Sequence, residues 1–226
     1  MCLYGTTSFT PTLPPLCATA KPQMQVKRML GRHTFSKGEK MKSTEVYKTI
    51  NVTIKEDFKA LGYKKTKGGM LGFYKKINEL YVIFWFQCAQ SAFNFYTGSK
   101  FVIEFQLSET DGIGSKAIER NRISHYLTQE ELKYITKKEN EIRKKMEKPP
   151  SNYPLLNMFD DIKKCFLKNY EPVKDIYNND TDIWLRYIEE KDIKEWAEYF
   201  KNIIKRIVGI LEQKAMSQEY STTGLN

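Results

Sequence analysis

The sequence predicts an α+β domain in which several helices pack on a small, mostly antiparallel sheet. Two runs rich in aromatic and β-branched residues, 79–87 and 101–108, are typical of neighbouring strands. Apolar residues recur at helical spacing before these runs and again in three later segments. The connections between the first strands are short. The domain is therefore expected to begin helix, strand, strand, strand as an antiparallel meander.

The first helix and the strands after it have the clearest patterns. Steps of three and four residues predict a buried stripe on the first helix, formed by Tyr47, Ile50, Ile54, Phe58 and Leu61. Gly62 is a suitable end for this helix, and Gly68-Gly69 indicates a turn. Strands are expected at 70–76, 79–90 and 100–108.

The second half of the chain is predicted to be mainly helical. Residues 109–126 read as a polar loop, and the capping box Thr128-Gln-Glu-Glu131 opens a helix that Pro149-Pro150 ends. A helix is expected between Leu155 and Phe166, and a short strand at 182–188. Asp192 and Glu195 can cap the last helix, whose apolar stripe runs to Leu211.

Composition divides the chain into a leader, one domain and a tail. Residues 1–40 contain six basic residues, one acidic residue and half of the prolines, without a periodic apolar pattern. We predict that this leader is poorly ordered, and we hypothesise that translation starts at Met41. Residues 41–215 are expected to form a single α+β domain, and 216–226 a frayed tail.

Charge, hydropathy and cysteine usage limit the classes of protein. The domain is moderately basic, which suits an acidic partner without requiring nucleic acid. No stretch approaches the length of a transmembrane helix. The cysteines, Cys2, Cys17, Cys88 and Cys165, have no Cys-x-x-Cys spacing, which argues against structural zinc and favours a reducing, cytoplasmic setting.

The most informative feature is a polar face in the middle of the predicted sheet. Alternation places Phe101, Ile103, Phe105 and Leu107 on one face of their strand and leaves Glu104 and Gln106 on the other. An acid and an amide in such a strand must be paired, hydrated or functional. If the two strands pair, a site for a ligand or partner protein is expected at Trp85, Gln87, Glu104 and Gln106. The alternative is that Glu104 is solvated or pairs with Lys75 or Lys76.

One resemblance links the first half of the domain to a bacterial family. Leu61-Gly-Tyr-Lys-Lys65, then Gly72-Phe-Tyr74, then a hydrophobic strand ending in Phe86-Gln87 resembles the domain-of-unknown-function family 4304. The likeness covers roughly residues 44–110. It implies no established activity, and it points to accessory or immunity-like proteins of bacterial conflict systems.

The same region also resembles the PD-(D/E)XK nuclease fold. In that fold an Asp on the second strand and a Glu-x-Lys pair on the third bind magnesium and activate water. Glu104-Phe-Gln106 matches the third strand, with Gln in place of Lys. No acidic residue lies between Glu79 and Glu104, so the missing Asp would have to be replaced by Glu79, or by Glu45 or Glu56.

Basic residues form two further candidate sites. Aromatic side chains interleave with a group of lysines that could contact phosphate backbones: Lys64, Lys65, Lys67, Lys75 and Lys76. Such lysines also commonly protect strand edges. Arg120 and Arg122, after the polar loop, could bind an anion or tie the loop to carboxylates.

Three functions follow from these patterns. The leading hypothesis is a non-catalytic cytoplasmic binding protein that recognises a protein partner, needs no cofactor and serves as an immunity-like or defence-associated accessory. The first alternative is a divergent magnesium-dependent nuclease that uses Glu104, Gln106 and Glu79. The second is a nucleic-acid-binding protein that acts through the basic hairpin.

Overall fold

The computed structural model describes residues 41–222 except residue 92, with side chains described as far as residue 217. The predicted leader, residues 1–40, and the last four residues lie outside the described residues. Within them the chain forms four α-helices and one six-stranded antiparallel sheet, which confirms the α+β class. No helix among these residues is long and apolar enough to cross a membrane.

In the described part of the chain, five strands follow the first helix, and a sixth strand lies between the last two α-helices. The helices are α1 (Ser43–Ala60), α2 (Gln129–Lys144), α3 (Asp160–Leu167) and α4 (Glu190–Thr222). The strands are β1 (Lys64–Lys65), β2 (Leu71–Ile77), β3 (Leu80–Cys88), β4 (Ser99–Ser108), β5 (Ala117–Arg122) and β6 (Leu185–Tyr187). The capping box predicted for α2 is present, because Thr128 Oγ1 accepts from the Glu131 amide at 3.3 Å and Glu131 Oε2 accepts from the Thr128 amide at 2.7 Å.

The sheet runs in the order β1-β2-β3-β4-β5. The start of β4 pairs with β6 and its end pairs with β5. Since β3 occupies the other side of β4, β5 and β6 lie along one edge. The prediction of a loop at 109–126 is wrong for residues 117–122, which form β5. The strand is polar because it lies at the edge of the sheet, where its side chains stay partly or fully exposed.

One face of the sheet, here called the core face, packs against α1 and α4. Aromatic rings from β2, β3 and β4 stack across it, with ring centroids of Phe73 and Phe84 5.2 Å apart and those of Phe84 and Phe105 6.2 Å apart. The buried stripe of α1 is Val46, Ile50, Ile54 and Phe58. Leu61 is 43% exposed, contrary to prediction, because the helix ends at Ala60 and Leu61 no longer follows the helical period.

Candidate functional site

The opposite face of the sheet, here called the second face, brings several of the predicted site residues together. Trp85 on β3 pairs with Glu104 on β4, and Gln87 lies opposite Val102 on the same face. The edge strand β5 adds two arginines to this face. Arg122 pairs with Glu104, and Arg120 with Gln106. The sequence signal for this juxtaposition was weak, because the register of β5 depends on a strand that the pattern did not indicate.

Most of these side chains lie beneath the surface. Trp85, Glu104 and Gln106 are at most 3% exposed, and Gln87 is partly exposed. The arginines above them reach solvent, with 46% of the Arg120 side chain and 36% of the Arg122 side chain exposed. A partner would therefore touch the arginines first, whereas Trp85, Glu104 and Gln106 form the layer that supports them.

Glu104 holds Arg120 through a charge-assisted fork. Its Oε2 atom accepts from Arg120 Nε at 2.9 Å and from Arg120 Nη2 at 2.7 Å. The other oxygen, Oε1, has no hydrogen-bond partner among the described residues and lies 3.8 Å from Arg122 Nε. The buried carboxylate thus orients Arg120 through hydrogen bonds at one oxygen and attracts Arg122 through an ion pair at the other.

Each arginine also lies over an indole ring. The guanidinium carbon of Arg120 is 5.0 Å from the ring centroid of Trp85, and that of Arg122 is 5.4 Å from the ring centroid of Trp184. Arg122 additionally forms an ion pair with Asp182. The two arginine–indole contacts are cation–π interactions, and they restrict the motion of the guanidinium groups further. No sequence pattern indicates this role of Trp184, because its position under Arg122 depends on β5 and the chain before β6 meeting in space.

Gln106 binds the backbone of the loop before β5, whereas Glu104 binds an arginine. Its Nε2 donates to the carbonyls of Gly112 at 3.2 Å and Ser115 at 3.0 Å, while its Oε1 accepts from the Gly114 amide at 2.8 Å. Ser108 Oγ also donates to the Ser115 carbonyl, at 2.7 Å. The amide side chain thus pins the loop before β5 onto the second face. Gly114 has φ of +75°, a conformation that L side chains adopt only with strain.

The predicted lysine partners of Glu104 lie elsewhere, so this alternative is wrong. Lys75 lies on the core side, where its Nζ is 3.1 Å from Glu212 Oε1 on α4. Lys76 is 3.4 Å from Glu79 Oε2, in the turn between β2 and β3. Alternation along β2 sends the two lysines to opposite faces.

The basic hairpin does not form one continuous surface. Lys64 pairs with Tyr74 on β2, and Lys65 pairs with Phe73, so their side chains point to opposite faces. Both are exposed, as is Lys67 in the following turn. A two-residue edge strand that carries lysines is typical of protection against unwanted strand pairing.

The acidic residues predicted as magnesium ligands are far apart. Glu79 lies in the β2–β3 turn, six residues before Trp85, which faces Glu104. At about 3.3 Å per residue, this separation is about 20 Å. Glu45 and Glu56 belong to α1, which packs on the other face of the sheet. No group of three or more His, Cys, Asp or Glu residues within the described part of the chain could hold a metal ion.

A second buried ionic group lies at the other end of β4. Arg186 on β6 is 1% exposed and donates to Glu139 Oε1 at 3.0 Å and to Asn169 Oδ1 at 3.0 Å. Burial, together with the neighbouring Arg186 guanidinium, lowers the pKa of Lys100 to about 8. Glu139 lies on α2 and also accepts from Arg143 Nε at 2.8 Å. Because it accepts from Arg186 as well, this group ties α2 to β6 and is best explained as a structural network.

Comparison with protein-family models, curated proteins and solved structures found no match to this chain. The resemblances to the domain-of-unknown-function family 4304 and to the PD-(D/E)XK nuclease fold stay predictions.

Proposed function

We propose that this protein is a non-catalytic binding protein that takes an extended acidic segment of a partner protein along the edge strand β5. The observation that carries the proposal is the pair of exposed guanidinium groups on that edge, each held between a carboxylate and an indole ring. Fixed arginines lose little conformational entropy when they bind a carboxylate.

The backbone of β5 supports this mode of binding. β5 ends the strand order, and no other strand of the described chain pairs with its outer side. Such an edge presents unpaired N–H and C=O groups that an incoming strand can use. The opposite edge is less suitable, because β1 has only two residues, Lys64 and Lys65.

Side-chain spacing supplies the specificity. Arg120 and Arg122 point to the same face because they are two residues apart on one strand. A partner strand with acidic residues at alternate positions would place carboxylates beside both guanidinium groups. Ile118, which is 48% exposed, lies at the irregularity in the pairing of β4 with β5, next to this row, and could contact an apolar residue of the partner.

The proposal also includes a cellular compartment and a biological role. We propose a cytoplasmic setting from the sequence, because its four cysteines have no Cys-x-x-Cys spacing and do not suggest a disulfide framework. The role as an immunity-like or defence-associated accessory depends entirely on the resemblance to family 4304, and the genes next to this one would test it.

Selection from a library of short random peptides tests the binding mode. We expect the selected peptides to carry acidic residues at alternate positions and to protect the amides of residues 118–122 from hydrogen exchange. Arg120→Ala combined with Arg122→Ala should abolish binding, whereas Lys64→Ala combined with Lys65→Ala, at the opposite edge, should leave it unchanged. Peptides that bind the double arginine variant equally well would contradict the proposal.

A nuclease assay separates the proposal from the catalytic alternative. Wild-type protein and Glu104→Ala are incubated with single- and double-stranded DNA and RNA in magnesium or manganese. The proposal predicts no cleavage by either protein. Metal-dependent cleavage that Glu104→Ala abolishes would contradict it and support the nuclease alternative.

A further inference from the structure

We propose a second binding site, for the backbone of a single-stranded nucleic acid, on the exposed side of α2. Four lysines of this site, Lys133, Lys137, Lys144 and Lys174, line a groove of about 420 Å³ between α2 and residues 173–176. This set is here called the lysine groove. It lies apart from β5 and from the basic hairpin, and it does not depend on the proposed partner protein.

Hydrogen bonds within the fold hold the two walls of the lysine groove together. Asn140 donates from Nδ2 to the Val173 carbonyl at 3.0 Å and accepts from the Val173 amide at 2.7 Å. The Tyr177 amide donates to Thr136 Oγ1 at 3.0 Å. These bonds clamp the segment that carries Lys174 against α2. Both walls are therefore held in place, and a ligand need not order them.

The charge of the groove is not neutralised by the fold. The four lysines are accompanied by a single acidic lining residue, Glu141, and none of them forms an ion pair with another described residue. Other lysines of the same region behave differently. Lys138 pairs with Glu195, and Lys145 lies 3.4 Å from Asp192. The unpaired cations are thus concentrated on one flank of α2, which favours a polyanionic ligand.

The chemistry of the lysines favours phosphate over carboxylate. The groove lining contains no arginine, so it lacks the planar fork that matches a carboxylate. Ammonium groups act as point charges and donate to phosphate oxygens in many orientations. Lys133 and Lys144 are about 16 Å apart along the helix axis, which is long enough to follow several nucleotides.

An exposed aromatic ring next to the groove favours a single strand. Tyr134 follows Lys133 on α2, is 43% exposed and stacks on Tyr199 with ring centroids 4.0 Å apart. Stacking covers one face of the Tyr134 ring. The residue lines an adjoining concavity with Lys138 and Glu195, so a strand that follows the lysine groove must extend beyond it to stack a base on Tyr134. Cationic side chains beside an aromatic platform are the usual components of single-strand binding. Because the Asn140 amide is already used by Val173, the groove lining offers no free amide to read base edges, and binding should be independent of sequence.

Fluorescence anisotropy with a labelled oligothymidylate of about 15 nucleotides tests the assignment. The affinity is measured between about 50 and 200 mM salt for the wild type and for Lys133→Gln/Lys137→Gln/Lys144→Gln. We expect the slope of log affinity against log salt to become shallower by about 2, since three lost phosphate contacts contribute about 0.7 each. A charge-matched control, Lys64→Gln/Lys65→Gln/Lys67→Gln, should keep the wild-type slope.

A second pair of variants tests the aromatic contact. Tyr134→Ala should weaken binding about tenfold at unchanged salt slope, as expected for one stacked base, while Tyr134→Phe should bind like the wild type. The double variant Arg120→Ala/Arg122→Ala should also bind the oligonucleotide normally, so the failure of one site can be distinguished from the failure of the other.

Several results would overturn the assignment. The assignment is wrong if the wild type does not bind the oligonucleotide at about 50 mM salt, or if both triple variants change the salt slope equally. It is also wrong if only the control variant Lys64→Gln/Lys65→Gln/Lys67→Gln loses slope. Tighter binding of polyglutamate or of duplex DNA than of the single strand would contradict it as well. Circular dichroism of every variant shows whether it remains folded. If the triple variant unfolds, the single variant Lys137→Gln carries the test, with an expected change in slope of about 0.7.

Discussion

The two faces of the sheet are equally buried at their centres but are stabilised in different ways. Phe84 and Trp85 are neighbours on β3, and both are fully buried. Phe84 faces a core of rings and helices, where contacts are non-directional. Trp85 faces Glu104 and the guanidinium of Arg120, where contacts depend on hydrogen-bond and charge geometry. Burial alone therefore does not distinguish a packing face from a supporting layer beneath a site.

The two faces should also respond differently to substitutions. The core face can accept any helix that offers an apolar stripe of suitable shape. The second face positions particular groups, because Glu104 orients Arg120 and Gln106 binds the loop before β5. Substitutions on the core face should therefore change mainly stability, while substitutions on the second face should change stability less and the arrangement of β5 more.

The largest effect is expected on the core face. Phe84→Ala should lower the free energy of unfolding by about 3–5 kcal/mol, because it leaves a cavity among rings that cannot fully collapse. Urea denaturation measures the change. The matched control is Val52→Ala on the outside of α1, where the side chain is 76% exposed and a change within about 0.5 kcal/mol is expected. A loss below about 1 kcal/mol for Phe84→Ala would contradict the stabilising role assigned to the core face.

A smaller effect is expected at the centre of the second face. Glu104→Gln keeps the shape but removes the charge that orients Arg120, and should cost about 2 kcal/mol. The value is below that of a fully buried pair because the Arg120 side chain is 46% exposed. A double-mutant cycle with Arg120→Gln measures the coupling in urea. Additive losses would mean that the carboxylate does not hold the arginine.

The loop before β5 should respond more locally. Gln106→Leu removes three hydrogen bonds at nearly constant volume, and should cost about 1 kcal/mol because the released loop groups can bind water. Hydrogen exchange of the Gly114 amide should accelerate several-fold. Gln87→Leu on the same face serves as the control and should leave this amide unchanged. Equal exchange rates in the two variants would show that the loop is held by other contacts.

The smallest effect is expected between the helices that cover the core face. The hydrogen bond from Lys205 on α4 lowers the pKa of Asp57 on α1, so the carboxylate stabilises the fold above its unfolded pKa and this contribution is lost as the pH falls through the folded value. Asp57→Asn should cost about 0.5 kcal/mol at neutral pH.

The pH dependence distinguishes the ion pair from other effects of the substitution. The difference between Asp57→Asn and the wild type should shrink as the pH falls below the ordinary carboxyl pKa and vanish once the pH is below the lowered pKa of Asp57, as measured by urea denaturation across the pH range. Glu56→Gln, at a side chain that is 75% exposed, is the control for a general change of charge. A difference that persists unchanged in acid would contradict the role of the ion pair.

Local patterns were sufficient for much of the fold. The aromatic runs gave β3 and β4 to within a few residues, and the capping box placed the start of α2 correctly. Trp85 and Glu104 were expected to share a face if the two strands pair, and the register of the sheet places them opposite each other. β5 was missed, because an edge strand with exposed polar residues has the composition of a loop.

The sequence by itself determined which residues are apolar at which period, and hence the elements and the presence of a carboxylate in a core-quality strand. Only the tertiary structure decided what that carboxylate contacts. Arg120 and Arg122 lie 16 and 18 residues after Glu104, and Trp184 lies much further along the chain. Which of the many charged and aromatic side chains become neighbours depends on strand register and on the path of the chain. Those are set by the packing of the whole domain, and no local pattern records them.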